Sequence, residues 1–185
     1  NDEALHLKRL IDDLHMLNSA ELGGMHYTMQ PTDVGFLLNS IEQKYHVIFE
    51  QHAINFYLLN SANNTTVNAD KTRILQLLDN ILMNAVHYAQ CSTISLSANN
   101  VNIKGQAYLE LIIEDNGIGV EQTHLSHLFE YLYRVDSSRN RQEGGSGLGL
   151  SICQHIVKGH NGEISAEKAS IGGLGIVIKL PLLVQ

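Results

Sequence analysis

Cysteine and positive charge are both scarce in this sequence. Its 185 residues include two cysteines, which is too few for a disulfide framework and favours a reducing compartment. Twelve lysines and arginines stand against 19 aspartates and glutamates, so the net charge is -7. Because an acidic surface repels a polyanion, we expect no direct nucleic-acid partner.

Long apolar runs are lacking as well. No stretch approaches the roughly 20 apolar residues that a membrane-spanning helix needs. Charged residues interrupt the N-terminus, where a signal peptide would carry its apolar segment. Hydrophobic residues nevertheless make up 44% of the chain, which predicts one soluble globular domain with a sizeable core and a small appendage.

The appendage is predicted at the N-terminus. Four leucines between Leu7 and Leu17 fall at heptad positions, a pattern typical of an amphipathic helix with a seam for a partner helix. Two heptads are too few for a stable isolated coiled coil. The helix either packs on its own domain or is the end of a longer helix. A pair of glycines separates residues 1–22 from the domain predicted at residues 25–185.

The rest of the chain mixes helical and strand periodicities. Asp33 and Asp70 precede runs of apolar residues at helical spacing and are the predicted N-caps. A further helix is predicted from about Gly147 to residues 160–162. Strands are predicted at residues 54–59, 93–98, 108–114, 163–167 and 175–180. Because several strands follow one another directly, we predict an α+β fold, a two-layer α/β sandwich with a mixed sheet and helices on one face.

Polar residues share one face of the helix that follows Asp70. Asn80, Asn84 and His87 lie at i, i+4 and i+7. Asparagine is a mediocre helix former, so two of them in mid-helix call for an explanation. Either they belong to a solvated polar face, or Asn84 offers its carbonyl oxygen to a hard cation such as Mg²⁺.

The sequence DNGIG at residues 115–119 directly follows a predicted strand. It is explained equally well as a strand-ending turn or as part of a purine pocket. In the second interpretation, the Asp115 carboxylate accepts a hydrogen bond from an exocyclic amino group. A purine with a carbonyl group in that position would be repelled by the carboxylate, so adenine is preferred over guanine.

The sequence GGSGLGL at residues 144–150 opens a predicted helix. Such a helix start presents backbone N–H groups and the positive end of the helix dipole to phosphate oxygens. No Lys-Ser/Thr pair follows the glycines and no strand precedes them, so neither a P-loop nor a Rossmann fingerprint fits.

Arginines occur in the polar stretch that precedes these glycines. Arg134 and Arg139 lie either in an ordinary exposed loop or in a mobile lid that reaches over a polyphosphate. A short helix is predicted just before this stretch, anchored by Leu125, Leu128, Phe129 and Leu132.

Together and in this order, these segments resemble the ATP-binding domain of bacterial sensor histidine kinases, part of the wider family of gyrase, Hsp90 and MutL ATPases. Residues 80–85 resemble the N box, 115–119 the first glycine box, 128–134 the F box and 145–150 the second glycine box. The resemblance covers about residues 25–182, is strongest to Bae-type envelope-stress sensor kinases, and implies a Bergerat-type ATP-binding fold.

The resemblance implies roles for the matching residues. Asn84 is expected to ligate a Mg²⁺ ion that bridges the phosphates of ATP, with Asn80 beside it as the second catalytic residue. Asp115 is expected to bind the adenine amino group. Gly117 and Gly119 are expected along the base pocket, with Tyr88 stacked on the base. Contacts with the phosphates are expected from His87, Arg134 and Arg139. The phosphate loop and lid hinge are expected to contain Gly145, Gly147, Leu148 and Gly149. Many of these kinases carry lysine where this chain has His87. A neutral imidazole there supplies less positive charge to the phosphates.

The residue at position 80 indicates whether the chain resembles the ATPases or the kinases of this family. ATPases of this family carry a glutamate there as the general base for water, whereas the carboxamide of Asn80 has no useful proton affinity near neutral pH. Water attack should therefore be slow, and the γ-phosphoryl group is kept for a histidine. None of the ten histidines is followed by Asp or Glu, so the acceptor is expected upstream of residue 1.

The resemblance thus implies a protein histidine kinase of a two-component system, without its acceptor histidine, so autophosphorylation of this chain alone is not expected. Residues 1–22 are expected to end a helical dimerisation domain. Expected partners are ATP, that acceptor domain and a cognate response regulator. The full-length protein is expected to be a membrane-anchored homodimer, with this domain on the cytoplasmic side of the inner membrane. The alternatives are a nucleotide-dependent interaction module and, more distantly, a weak ATPase.

Overall fold

The computed structural model describes residues 11, 26–62, 64–135 and 147–182. Within these ranges it contains four helices and seven strands. The helices are α1 (Val34–Gln51), α2 (Lys71–Tyr88), α3 (Gln122–Leu125) and α4 (Gly149–Gly159). The strands are β1 (Gln30–Asp33), β2 (Asn55–Asn60), β3 (Thr66–Ala69), β4 (Thr93–Ile103), β5 (Gln106–Asp115), β6 (Glu163–Lys168) and β7 (Leu174–Pro181). Apart from residue 11, the predicted N-terminal helix lies outside the described residues.

The main sheet has five strands in the order β2-β4-β5-β7-β6. β2 and β4 are parallel, and the other neighbours are antiparallel. Alternate residues of β4 and β5 are buried in one core with the apolar stripes of α1, α2 and α4. The predicted two-layer sandwich with a mixed sheet and helices on one face is confirmed.

Both predicted N-caps are present. Asp33 accepts the N–H of Phe36 over 2.7 Å at the start of α1, and Asp70 accepts the N–H of Arg73 over 3.1 Å at the start of α2. Each carboxylate satisfies a backbone donor that has no partner inside the helix. None of the helices in the described part of the chain combines the length and hydropathy needed to cross a bilayer.

Two local predictions were incomplete or wrong. The small antiparallel pair of β1 and β3 was not predicted, because neither four-residue strand has a strong apolar alternation. The helix predicted around Leu125 ends at that residue. Leu128 and Phe129 are buried, whereas Leu132 is 67% exposed and has a φ of +58°. Leu132 therefore lies in a left-handed turn and does not anchor a helix.

His160 joins the C-terminal end of α4 to the N-terminal end of α2. Its ring is buried; Nε2 accepts the backbone N–H of Asp70 over 2.9 Å, and Nδ1 lies 2.7 Å from the carbonyl oxygen of Ile156. Since Nε2 must accept, the proton is on Nδ1 and the ring is neutral. Burial lowers the pKa of His160 below its usual 6.5.

Tyr27 packs on the same end of α4. A Cβ atom on Gly159 would lie 2.2 Å from the Tyr27 ring, so only glycine allows this approach. The Tyr27 hydroxyl donates to the carbonyl oxygen of His155 over 3.1 Å. The segment that leads into the domain is therefore held against α4.

We predict that the stability of the protein falls as the pH drops below about 6.5, because the unfolded chain then binds a proton at His160 that the folded state resists. The loss should continue down to the lowered pKa of the folded state, with a slope of at most about 1.4 kcal/mol per pH unit. Urea unfolding at about pH 7.5 and about pH 5.5 measures this difference.

The matched variants are His160→Gln and His46→Gln. Glutamine at position 160 keeps an acceptor for the Asp70 N–H but cannot be protonated, so the pH dependence should shrink. His46 is exposed on α1, and its replacement should leave the dependence in place. A His160→Gln variant with the pH dependence of the wild type would contradict the assignment.

Candidate functional site

Helix α4 begins against the two asparagines of α2. Asn80 and Asn84 are half-buried, one turn apart. The side-chain amide of Asn80 donates a hydrogen bond to the carbonyl oxygen of Gly149 over 3.2 Å. A Cβ atom on Gly149 would lie 3.9 Å from Asn84 Nδ2. The first residue of α4 is therefore in contact distance of both asparagines.

The turn before α4 packs on the segment that follows α3. Gly147 has a φ of +69°, a conformation that glycine adopts readily. A Cβ atom there would lie 3.0 Å from the backbone of Leu132, and Leu148 is buried. The first N–H groups of a helix have no partner within it. This end of α4 thus offers N–H donors and a positive dipole end beside Asn84.

Asp115 is the last residue of β5 and is only 5% exposed. Its Oδ1 atom accepts the backbone N–H of Gly117 over 2.8 Å and that of Leu174 over 3.3 Å. Both bonds go to one oxygen, which holds the carboxylate in one orientation. Among the described residues no donor is bonded to Oδ2, so that oxygen is left for a further donor. Burial raises the pKa of the Asp115 carboxyl above its usual value, and the two N–H groups partly offset that rise.

Gly117 connects this carboxylate to the C-terminal end of α2. A Cβ atom on Gly117 would lie 1.9 Å from the carbonyl oxygen of Ala89, the residue that caps α2. Ile118 donates its N–H to the same oxygen over 2.9 Å. Position 117 therefore requires a residue without a side chain.

Helix α2 sets the separation between the two halves of the site. The Asp115 segment contacts its C-terminal end, and the start of α4 contacts Asn80, nine residues earlier. Nine residues of α-helix span about 14 Å. A carboxylate beside the C-terminal end of α2 and amide donors beside its middle can hold a long ligand with a hydrogen-bonding group at one end and an anionic group at the other.

The remaining predicted site residues lie around this framework. Tyr88 is half-buried and His87 exposed in the last turn of α2, with ring centroids 6.0 Å apart. Gly119 has a φ of +66°. Arg134 is half-buried near the end of a described range. Arg139 and Gly145 fall outside the described residues.

The donor set fits a phosphate-bound cation better than an all-protein metal centre. In the described ranges, no three His, Cys, Asp or Glu residues are grouped so that they could hold a metal ion. Mg²⁺ usually keeps several waters and binds through one or two protein oxygens together with substrate phosphates. The half-buried amide oxygen of Asn84 can supply such a single protein ligand.

Two surface clefts of about 340 and 400 Å³ lie elsewhere. Both include Gln154, Ile164 and Ser165 among their lining residues, and neither includes Asp115 or Asn84. They run along β6 and are separate from the contacts described above.

Sequence reasoning missed the turn between β6 and β7. Gly173 donates its N–H to the carbonyl oxygen of Asp115 over 3.0 Å, and a Cβ atom on Gly173 would lie 2.0 Å from Asp115 Oδ1. The glycine pair at positions 172 and 173 indicates a turn. No local pattern places that turn beside Asp115.

Residues 69–184 match the family model described as "Histidine kinase-, DNA gyrase B-, and HSP90-like ATPase". The chain belongs to this family. The resemblance inferred from the four motifs is confirmed.

Curated relatives in the family are named sensor histidine kinases. The histidine-protein kinase BaeS of Escherichia coli (strain K12) is 35% identical over 177 residues, which cover 95% of this chain and 37% of BaeS. The sensor histidine kinase YkoH of Bacillus subtilis (strain 168) is 32% identical over 179 residues, which cover 97% of this chain and 37% of YkoH. The chain thus spans little more than a third of the length of these relatives.

Solved histidine kinases share the fold. Full-length ShkA in complex with AMPPNP has a TM-score of 0.79 at 22% identity, over 97% of this chain and 36% of ShkA. The Acinetobacter baumannii histidine kinase AdeS has a TM-score of 0.75 at 20% identity, over 99% of this chain and 82% of AdeS. The fold expected for an ATP-binding domain of this family is therefore present.

We predict that Gly117→Ala lowers the free energy of unfolding by about 1–3 kcal/mol, because the new Cβ must displace the Ala89 carbonyl. Gly175→Ala is the matched control, since the nearest atom to its Cβ would be 3.5 Å away. Urea unfolding of the two variants measures the difference. Equal stability would show that the backbones at positions 89 and 117 are not in close contact.

Proposed function

We propose that this chain is the ATP-binding catalytic domain of a two-component sensor histidine kinase. In this proposal it binds Mg-ATP and transfers the γ-phosphoryl group to a histidine on a helical dimerisation domain. The main support is the buried, oriented carboxylate of Asp115 at one end of α2 and the contact of Asn80 with the start of α4 near the middle of the helix.

The adenine base would bind at the Asp115 end. The two N–H donors on Oδ1 leave Oδ2 to accept a hydrogen bond from the exocyclic amino group. Gly117 and Gly119 would form the backbone wall of the pocket, and Tyr88 would stack on the base. A carbonyl group in place of the amino group would face the carboxylate oxygen, so guanine would be disfavoured.

The phosphates would bind beside the middle of α2, where α4 begins. Asn84 would ligate the Mg²⁺ ion, which neutralises phosphate charge when it is bound. The N–H groups around Gly147, Leu148 and Gly149 would contact phosphate oxygens. The remaining contacts in this proposal come from His87, Arg134, Arg139 and Gly145.

Transfer to histidine is favoured over hydrolysis by the chemistry of position 80. The side-chain amide of Asn80 donates to Gly149, and a carboxamide cannot take a proton from water near neutral pH. In the transfer step, the acceptor imidazole nitrogen forms a bond to the γ-phosphorus as the bond to the β–γ bridging oxygen breaks, and ADP leaves. The imidazole proton passes to the acidic residue that follows the acceptor in the family.

The proposal extends to the whole protein. The acceptor domain, of which residues 1–22 would form the last part, would present the histidine, and a response regulator would receive the phosphoryl group from it. The kinase would work as a membrane-anchored homodimer with this domain on the cytoplasmic side. The names of the relatives support the sensor histidine kinase part of this proposal.

We predict that Asp115→Asn and Asp115→Ala each weaken ATP binding by about 100-fold or more. In the asparagine variant, the two backbone donors hold the amide oxygen, so the amide nitrogen faces the base amino group and repels it. Isothermal titration calorimetry with ATP and GTP measures the change. Wild-type affinity in both variants would refute the base pocket.

We also predict that Asn84→Ala removes the Mg²⁺ dependence of ATP binding and stops phosphoryl transfer, because the protein ligand to the ion is lost. Titrations with and without Mg²⁺ measure the first effect. Labelled ATP, mixed with this chain and a separately produced acceptor domain of the same protein, measures the second.

The control for Asn84 is Asn68→Ala, at an exposed position of β3, which should behave as the wild type. Phosphate should appear on the acceptor domain only when this chain is present. Stable labelling of this chain by itself, or release of free phosphate in place of transfer, would contradict the kinase assignment.

A further inference from the structure

Two neighbouring acids end strand β5, and they point to opposite faces of the sheet. Asp115 is buried in the candidate site, whereas Glu114 is half-buried on the outer face, as the alternation of a strand requires. Glu114 is outside the set of residues expected to contact ATP. Its carboxylate nevertheless has well-defined partners.

Glu114 holds the first half of the turn between β6 and β7. One carboxylate oxygen accepts the backbone N–H of Ser170 over 2.5 Å, and the other accepts the Ser170 hydroxyl over 3.0 Å. Hydrogen bonds to an ionised carboxylate are short and roughly twice as strong as neutral ones. Ser170 is exposed, so its position depends on these bonds more than on packing.

Asp115 holds the second half of the same turn. Gly173 donates its N–H to the Asp115 carbonyl oxygen over 3.0 Å, and Leu174 donates to Asp115 Oδ1 over 3.3 Å. Within the turn, Ala169 donates to the Gly173 carbonyl over 2.9 Å, which joins its two ends. The turn is therefore fixed on both sides by consecutive residues of β5.

We propose that Glu114 is a positioning residue for base recognition: by holding Ser170, it places the Leu174 N–H on Asp115 Oδ1 and so orients the carboxylate toward the base. This inference rests on the proposed function of Asp115 as the adenine ligand.

The intrinsic flexibility of the turn explains why a second anchor is needed. Gly172 has a φ of +120° and no side chain, and Gly173 follows it, so the chain itself restricts the turn weakly. Without the Ser170 anchor, the long 3.3 Å bond from Leu174 is the first to be lost. Asp115 Oδ1 would then keep only the Gly117 donor, and the carboxylate could rotate.

A second consequence concerns protonation. The Leu174 N–H is one of the two groups that lower the pKa of the Asp115 carboxyl against the effect of burial. Its loss would raise that pKa further, so a larger fraction of Asp115 would be protonated at a given acidic pH. ATP binding should then be lost at a higher pH than in the wild type.

The experiment compares Glu114→Ala, Glu114→Gln and Glu110→Ala by calorimetric titration with ATP and GTP over a range of pH. Glu110 is the matched control, because it lies on the same face of β5 and pairs with Lys179 over 3.9 Å, away from the turn. We expect Glu114→Ala to weaken ATP binding about tenfold, to narrow the preference for ATP over GTP, and to move the acidic loss of binding to higher pH. Glutamine keeps an acceptor for the Ser170 N–H and should restore most of the affinity.

Ser170→Ala gives an independent test at an exposed turn residue, where a failure to fold is not expected. It removes only the hydroxyl bond and should weaken ATP binding about threefold. If Glu114→Ala and Ser170→Ala bind ATP with the affinity, base preference and pH profile of Glu110→Ala, the positioning role is overturned. If the wild type and Glu110→Ala do not bind ATP at all, the proposed function fails instead.

Discussion

Helix α2 is the element on which the arrangement of the site depends, because other parts of the chain are bonded to it near both ends and near its middle. At its N-terminal end, the backbone N–H of the N-cap residue Asp70 donates to His160. Near its middle, the side chain of Asn80 donates to the carbonyl oxygen of Gly149. At its C-terminal cap, Ala89 contacts Gly117. The apolar stripe of the same helix is buried in the core. The distance between the carboxylate and the start of α4 is thereby set by the fixed rise of one helix.

The energetic cost of this arrangement falls on Asp115. A carboxylate loses hydration when it is buried, and the raised pKa of Asp115 reflects that loss. Two backbone donors offset part of the cost and fix the orientation of the group. A charged, oriented acceptor in a low-dielectric environment discriminates between hydrogen-bond donors and acceptors more strongly than an exposed one. The cost in stability and the base selectivity proposed for Asp115 would therefore have the same origin, the burial of one carboxylate.

Features that depend on neighbouring residues were predictable from the sequence. Local patterns predicted the caps at Asp33 and Asp70, the strand alternation and the glycine motifs. The family resemblance then indicated that the motifs belong to one fold. Contacts between distant segments were not predictable, because no periodicity records which turn packs on which strand. The turn at Gly173 and the packing of Tyr27 on Gly159 are of this kind. Leu132 was misassigned because its spacing suits a helix, whereas the turn at that point exposes it.

Helix α4 has 11 residues and is therefore about 16 Å long. Its first residue lies against Asn80, and its last, Gly159, lies against the ring of Tyr27. Between them the helix is packed on the core through Ile152, Ile156 and Val157, which are fully buried. A displacement of the chain at Tyr27 would reach the amides in the first turn of α4 through a shift or rotation of the whole helix. One continuous helix thus connects the segment that leads into the domain with the residue that contacts Asn80.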